Sequence, residues 1–338
     1  MAVLPIWRDY YADLGIGDKA RYKVTCNGEG IYVGVANRRP NEDRIWVKVN
    51  DICADYIRNE IPAMSLSQFE RLSFPLEFEV RVWDEGDLFW ETFETISFVN
   101  DWSYDYNHNP SDGMASPVNG HVSARQKLLW TCINATSVVV TLRFADGTSQ
   151  KKTITIARTA DFNADFNLDF AKSATAAGNG TIILDLSQYE GLKEVEIDGK
   201  VFPVVECGRF VLYYANAFGG WDSFLIEGNH SETDSLTRHE RAVEYDNDAV
   251  GNRGRSNYVN EIRKSMTLHT SWLLGDEASR MHHLLNATEV YLYDLEKRQM
   301  LPVVLTNTTT EHKTYKSNGK RLVNYAIEVA FANDRIRR

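Results

Sequence analysis

The C-terminal stretch, residues 262–331, has the sequence pattern that most restricts how this chain can fold. Ser317-Asn318-Gly319-Lys320 predicts a tight β-hairpin, because Asn-Gly accepts the positive φ angles of a type I′ turn. After this turn the large apolar side chains fall on every second residue: Tyr325, Ile327, Val329 and Phe331. Such alternation is typical of a strand with one buried and one exposed face.

The same stretch predicts a sheet with one helix packed on it. The helix is expected over 276–286, where Asp276 and Glu277 in the first turn suit the positive end of the helix dipole. Its apolar residues share one face at helical spacing: Ala278, Met281, Leu284 and Leu285. Around it we expect five strands: 263–271, 288–293, 300–306, 308–315 and 322–331.

The rest of the chain also reads as mainly β, with two β-sandwich-like domains, 1–107 and 120–215, and a linker at 108–119. A short helix is expected from Asn50 or Asp51 to about Glu60. Expected strands of the first domain are 21–27, 31–36, 44–49, 76–82 and 90–99. Those of the second are 126–132, 137–144, 153–157, 162–170, 181–186, 194–197, 200–205 and 210–214. Asp198-Gly199 is expected to form a hairpin turn between 194–197 and 200–205.

The third predicted domain, 216–338, contains a polar and charged segment at 231–256. This segment holds too few apolar residues to bury the surface that would order it. We therefore expect a long mobile loop or arm.

Charge and composition limit the classes of partner. The 338 residues are 43% hydrophobic and 25% charged, as in ordinary globular proteins, and the net charge of −10 argues against tight binding along a nucleic acid backbone. No basic region followed by an apolar core opens the chain, and no apolar run of about 18 residues occurs, so neither a signal peptide nor a membrane partner is expected. The four cysteines are expected to be reduced, buried thiols: Cys26, Cys53, Cys132 and Cys207.

Motifs for metal binding and catalysis are incomplete in this sequence. A calcium-loop pattern begins at Asp161, but the position that needs glycine is Phe166 and the position that needs glutamate is Lys172. His282 and His283 are adjacent on the predicted helix and point about 100° apart, which is poor geometry for one metal. Neither a nucleophile elbow nor a phosphate-binding glycine loop is present. We predict no metal, no cofactor and no enzymatic activity.

An alternative prediction is glycan contact through Trp83, Trp90 and Trp102. Acidic side chains, including Glu91 and Asp101, lie near these tryptophans in the sequence. Paired carboxylates in an aromatic cleft could also hydrolyse a glycan. However, charged residues are common on the faces and edges of β-sandwiches, where they discourage edge-to-edge pairing.

The order of strand, helix, strands and hairpin in 262–331 resembles the tail-tube fold of tailed bacteriophages, as used in distal tail and baseplate proteins. Four runs are similar to segments of tail structural proteins of Bacteroidetes phages and prophages: Trp272-Leu-Leu-Gly-Asp-Glu-Ala-Ser-Arg280, Leu284-Leu-Asn286, Val303-Val304 and Tyr325-Ala-Ile-Glu328. In distal tail proteins the tube-like domain usually comes first, whereas here it comes last.

This resemblance implies a virion structural protein, assembled in the host cytoplasm, that forms a homo-oligomeric ring at the tail tip or baseplate. Such rings are six-fold in many cases, contact the tail tube and baseplate or hub proteins, and let DNA pass through as cargo. Residues 216–338 would then form a tail-tube-like domain whose arm, 231–256, holds a neighbouring subunit. The expected interface residues are Asp276, Glu277, Arg280, His283, Arg253 and Arg255.

Overall fold

The structure, a computed structural model, is mainly β. Strands hold 68% of the described residues and helices 5%, which confirms the predicted fold class. The described residues are 3–7, 9–26, 28–57, 70–73, 76–84, 89–99, 120–155, 178–216, 219–242, 255–274, 281, 283–307, 312–317, 320–332 and 335–337.

The N-terminal part forms a five-stranded sheet in the order β1-β8-β7-β3-β4 and a two-stranded sheet, β2-β5. Its elements are β1 (Val3–Pro5), β2 (Tyr11–Ile16), β3 (Lys19–Cys26), β4 (Glu29–Asn37), β5 (Arg44–Lys48), α1 (Asn50–Ala54), β6 (Glu70–Ser73), β7 (Leu76–Asp84) and β8 (Phe89–Val99).

Its core collects the alternate residues of both sheets. Val24, Phe78 and Phe98 come from the larger sheet, and Ile45 comes from the smaller one. Cys53 of α1 belongs to the same core, and burial raises its pKa to about 12. The predicted helix ends earlier than expected: it stops at Ala54, and Val49 rather than Asn50 or Asp51 occupies the N-cap position.

The middle part forms two further sheets, in the orders β12-β11-β14-β15-β9 and β10-β13-β6. Asp198 and Gly199, with φ angles of 48° and 77°, make the predicted tight turn between β14 and β15. Its elements are β9 (Val122–Ser123), β10 (Lys127–Ala135), β11 (Ser137–Phe144), β12 (Ser149–Thr155), β13 (Gly178–Asp185), a 3₁₀ turn (Leu186–Gln188), β14 (Leu192–Ile197) and β15 (Lys200–Val205).

The C-terminal part forms a nine-stranded sheet in the order β17-β16-β20-β21-β23-β19-β18, with β22 on β23 and β24 on β19. Its strands are β16 (Phe210–Ala215), β17 (Trp221–Ile226), β18 (His230–Ala242), β19 (Arg255–His269), β20 (Val290–Asp294), β21 (Gln299–Leu305), β22 (His312–Ser317), β23 (Lys320–Phe331) and β24 (Arg335–Arg337).

The C-terminal core lies on one face of this sheet and confirms the prediction of a sheet with a packed helix. Leu268, Ile327 and Val329 are fully buried from the sheet side. Residues 281 and 283–285 are helical, and Met281 and Leu284 are buried in the same core. The predicted hairpin is also present, because Ser317 pairs with Lys320 across a two-residue loop.

The chain divides into two compact units. One comprises Met1–Pro117, Lys127–Pro203 and Ala215–Asp222, and the other comprises Val118–Gln126, Val204–Tyr214 and Ser223–Arg338. The three-domain division inferred from the sequence stays a prediction. Its linker at 108–119 lies outside the described residues, as do the calcium-loop pattern at 161–172 and the strand expected at 162–170.

Two expectations from the sequence are wrong. The segment at 231–242 is not a loop, because it forms all but the first residue of β18. The thiols are not uniformly buried, because Cys207 is exposed and Cys26 is half-buried, whereas Cys53 and Cys132 are buried as expected. All four are free thiols.

Candidate assembly interface

The strands β18 and β19 form an antiparallel ribbon whose β18 strand is largely exposed. The two strands pair antiparallel along the whole of β18, from His230 opposite Leu268 to Ala242 opposite Arg255. On its other edge β19 pairs with β23 only as far as Ser265. At a rise of about 3.3 Å per residue, the ribbon extends about 30 Å beyond that point.

Cross-strand pairs and a third strand stabilise the ribbon where apolar burial does not. Asp234 lies 3.7 Å from Lys264, and Nε2 of His239 lies 3.5 Å from Glu261. Such exposed ion pairs contribute little each, at most about 1 kcal/mol. β24 adds to the middle of β19, opposite Asn260–Ile262, so the basic C-terminal segment is part of the sheet.

One face of the ribbon continues the core-facing side of the sheet. On β19 the buried residues Leu268 and Met266 are followed at the same alternation by Lys264 and Ile262. Leu236 stands opposite Ile262 and is 49% exposed. The face that is buried at Leu268 and Met266 is therefore exposed to solvent at Leu236, although it still carries apolar side chains there.

Among the strands that the structure describes, none pairs with the outer edge of β18. None of its 13 residues is buried: 11 are exposed, and His230 and His239 are intermediate. At the opposite end of the sheet, all six residues of β17 are buried. The two ends of this sheet thus differ, and the β18 end presents unpaired backbone donors and acceptors.

A second edge with no neighbour among the described strands belongs to β4, the last strand of the N-terminal sheet. Between Gly30 and Ala36 this strand has no charged residue and no proline, the usual protections of an exposed edge. Val33 and Val35 are 52% and 51% exposed, and Tyr32 is 42% exposed. An uncharged apolar edge of this length is suited to pairing with another strand.

Cationic side chains lie beside this edge on the neighbouring strand. Lys19, Arg21 and Lys23 occupy alternate positions of β3, opposite the buried Tyr22 and Val24, and therefore share the outer face of the sheet. In the register of the sheet, Lys23 stands opposite Val33, and Arg21 stands opposite Val35. The outer face next to β4 thus combines apolar and positively charged groups on a chain of net charge −10.

Trp83 and Trp90 come together on this sheet, as a cross-strand pair. Their rings meet edge to face with centroids 5.2 Å apart, and the guanidinium carbon of Arg21 lies 5.7 Å and 5.5 Å from the two centroids. Both indoles are partly buried, and each has Arg21 near its ring. This cation–π arrangement leaves less indole face for a sugar to stack on.

A small pocket lies in the C-terminal unit, lined by His121, Glu227, Ser271 and apolar residues. Nδ1 of His121 is 2.6 Å from Oε1 of Glu227, as in the base–acid pairs of hydrolases. Across the described ranges, no hydrogen bond joins Ser271 to His121. The pocket therefore has an oriented imidazole without an aligned nucleophile.

Other site chemistry is sparse in the part of the chain that the structure describes. It has no group of three or more histidine, cysteine or acidic side chains placed to hold a metal ion. None of the described helices has the length and apolar character needed to cross a membrane.

Comparison with known proteins adds no identification. No known family model matches this chain, and no curated protein matches it. Its function must therefore be inferred from the surfaces described above.

The structure tests few of the interface residues expected from the sequence. Asp276, Glu277, Arg280 and Arg253 lie outside the described residues, as does Trp102. Arg255 is the first residue of β19, at the far end of the ribbon, and its side chain is not described. His283 is half-buried in the helical segment, between the buried Met281 and Leu284.

Sequence reasoning missed the two open edges. The β18 edge was hidden because its residues are polar on both faces, so no period-two hydrophobic pattern marks a strand. A weak signal exists in the alternation of Ser231, Thr233, Ser235 and Thr237 with other residues, since threonine favours strands. The β4 strand was expected, but its edge position depends on the sheet order.

Proposed function

We propose that this chain is a structural protein of a tailed bacteriophage, which assembles with copies of itself into a ring at the tail tip. The ring would join the tail tube to other tail components and let DNA pass. The negative charge of the chain suits a channel that DNA must not adhere to. In this proposal no residue has a catalytic role.

The observation that carries the proposal is the β18–β19 ribbon. A two-stranded ribbon is marginally stable in water by itself, yet this one extends about 30 Å beyond β23, with only the three residues of β24 added on β19. Its Leu236 is exposed on the side that continues the core face. Packing against a neighbouring subunit would bury that apolar surface and support the ribbon, which makes self-assembly the function that best accounts for it.

Shortening the ribbon tests this proposal. Thr233 and Ser265 are directly paired, and Ser265 is the last residue of β19 that pairs with β23, so residues 234–264 can be replaced by Asn-Gly, which closes a two-residue hairpin. Light scattering after size exclusion and negative-stain microscopy should give ring particles for the full chain and monomers for the shortened chain. Circular dichroism should give the same strand content per residue for both. A full chain that stays monomeric at all concentrations, or a shortened chain that still forms rings, would contradict the proposal.

A pair of point variants provides the matched control. Tyr258→Ser removes an apolar side chain on the ribbon that is 56% exposed, and Tyr56→Ser removes one after α1 that is 46% exposed. We expect the first change to weaken assembly and the second to leave it unchanged. Equal effects would mean that assembly responds to surface hydrophobicity in general, not to the ribbon.

The same preparation tests the glycan alternative. Glycan binding would be favoured over ring assembly if the protein were strictly monomeric and retained on a polysaccharide column, and if the Trp83→Ala variant were not retained. We expect no retention, because Arg21 and the edge-to-face packing occupy much of the indole surface.

A further inference from the structure

We propose that the subunits join through strand addition, in which the open edge of β18 in one copy pairs with the open edge of β4 in the next. This inference rests on the proposed assembly function and names the surfaces that carry it. Each copy has one edge of each kind, so the contact is head-to-tail and uses two different surfaces. Contacts of this kind close into a ring when the rotation between neighbours allows it.

The first argument is that both edges are open among the described strands, and that the β4 edge also has none of the usual protections. β18 and β4 are terminal strands of their sheets, with 13 and nine residues. β4 has no charge or proline between Gly30 and Ala36. Natural sheets usually protect such edges, and backbone hydrogen bonds to an added strand can supply affinity without a pocket.

The second argument is complementary charge. The part of β18 next to the C-terminal core, residues 231–237, contains Glu232 and Asp234 and no cation. Asp234 is 3.7 Å from Lys264 of β19, whereas Glu232 forms no ion pair within the described ranges. Both acids lie on one face of the strand, because they are two residues apart. On the other surface, Lys19 and Lys23 lie on the outer face next to β4, and neither forms an ion pair within the described ranges.

The third argument separates this partner from a glycan. Val33 and Val35 are exposed aliphatic side chains on the edge strand itself, where an added strand would cover them. The aromatic rings nearby are already engaged by Arg21. Aliphatic groups beside open backbone groups favour an extended peptide segment over a sugar.

Cross-linking tests which edges meet. In a Cys26→Ser, Cys207→Ser background, Val33→Cys is made in one protein and Leu236→Cys in another, and the two are mixed with a short bismaleimide. Val33 shares the face of Lys23, and Leu236 shares the face of Glu232 and Asp234, so the two thiols would lie on the same side of the joined sheet. We expect a cross-linked dimer in the mixture and at most trace dimer when either protein is treated alone. Dimer from the Val33→Cys protein alone would mean that β4 pairs with β4, and dimer from the Leu236→Cys protein alone would mean that β18 pairs with β18. Either result overturns the inference.

Charge exchange provides an independent readout. Glu232→Lys with Asp234→Lys should weaken assembly tenfold or more, measured as the concentration at which half of the subunits are in rings. Adding Lys19→Glu with Lys23→Glu to the same chain should restore assembly, because the pairs are re-formed with opposite sign. Glu190→Lys, at an exposed turn outside both edges, should change nothing.

The outcomes distinguish this inference from the function on which it depends. Rings that form without cross-links between Val33→Cys and Leu236→Cys proteins, and without charge rescue, overturn the strand pairing and leave ring assembly intact. A chain that never assembles overturns both. Rings with the mixed cross-link and the charge rescue support both.

Discussion

The β18–β19 pair has a base, where β19 also pairs with β23, and a tip, which extends beyond Ser265. The two regions differ in side-chain burial. At the base, Leu268 and Met266 of β19 are 0% and 4% exposed and belong to the C-terminal core. Further along the same face, Leu236 of β18 is 49% exposed opposite Ile262. Backbone pairing is continuous between the two regions, whereas side-chain burial is not.

This difference separates folding from association within one hairpin. Burial of apolar surface stabilises the base, at about 25 cal/mol per Å² removed from water. The tip has backbone hydrogen bonds and exposed ion pairs, which contribute less. A partner subunit would bury apolar surface at the tip, as the helix and the rest of the sheet do at the base.

The largest expected effect is at the base. Leu268→Ala should lower the free energy of unfolding by about 2–5 kcal/mol, because it leaves a cavity in a fully buried core. Denaturant unfolding of this variant and of Leu236→Ala provides the comparison. If both variants lost the same stability, the base and the tip would not differ in burial as described.

The turn that leads into the ribbon is expected to be nearly as sensitive. A Cβ atom at Gly228 would lie 2.2 Å from the carbonyl oxygen of His269, which cannot move without shifting β19. Gly228→Ala should therefore cost about 1–3 kcal/mol in thermal or denaturant unfolding. Gly30→Ala is the matched control, because its Cβ would meet only the flexible side chain of Lys23. A cost at Gly30 equal to that at Gly228 would contradict this explanation.

Asp294 lies at the end of β20, in the turn to β21, on the same sheet as the β18–β19 pair. Burial alone would raise the pKa of this carboxyl, but backbone N–H groups of Lys297 and Glu296 donate to it and Arg209 is close, so its pKa is lowered. The stabilisation is therefore present above the unfolded pKa of about 3.9 and is lost as pH falls through the folded pKa.

The substitution Asp294→Asn should lower the free energy of unfolding by about 1–2 kcal/mol at pH 7 and by less at pH 3, as measured by urea unfolding. Glu190→Gln, at an exposed turn, is the control and should cost nothing measurable. A penalty at Asp294 that stayed constant down to pH 3 would mean that the charge does not stabilise the turn.

The smallest stability effect, and the sharpest functional one, is expected at the tip. Leu236→Ser should change the free energy of unfolding by less than about 0.5 kcal/mol, because the side chain is exposed. It should nevertheless weaken ring assembly, measured by light scattering across a dilution series. A variant that assembles like the full chain would show that this face of the ribbon is not used.

Local patterns in the sequence were enough to predict many strands. The bounds of β11 and β15 were predicted to the residue, since apolar alternation and adjacent turn residues mark their ends. The two tight hairpin turns were predicted from Asn318-Gly319 and Asp198-Gly199, whose residues accept the required backbone angles. These features depend on neighbours close in sequence.

The tertiary structure alone decided the surfaces on which the proposal depends. β18 is polar on both faces, so its sequence resembles a loop until β19 supplies backbone partners. β4 was predicted as a strand, but its open edge follows from a sheet order that brings β3, β7 and β8 together across more than 50 residues. Alternation encodes which face of a strand is buried, and it carries no information on which remote strand lies alongside.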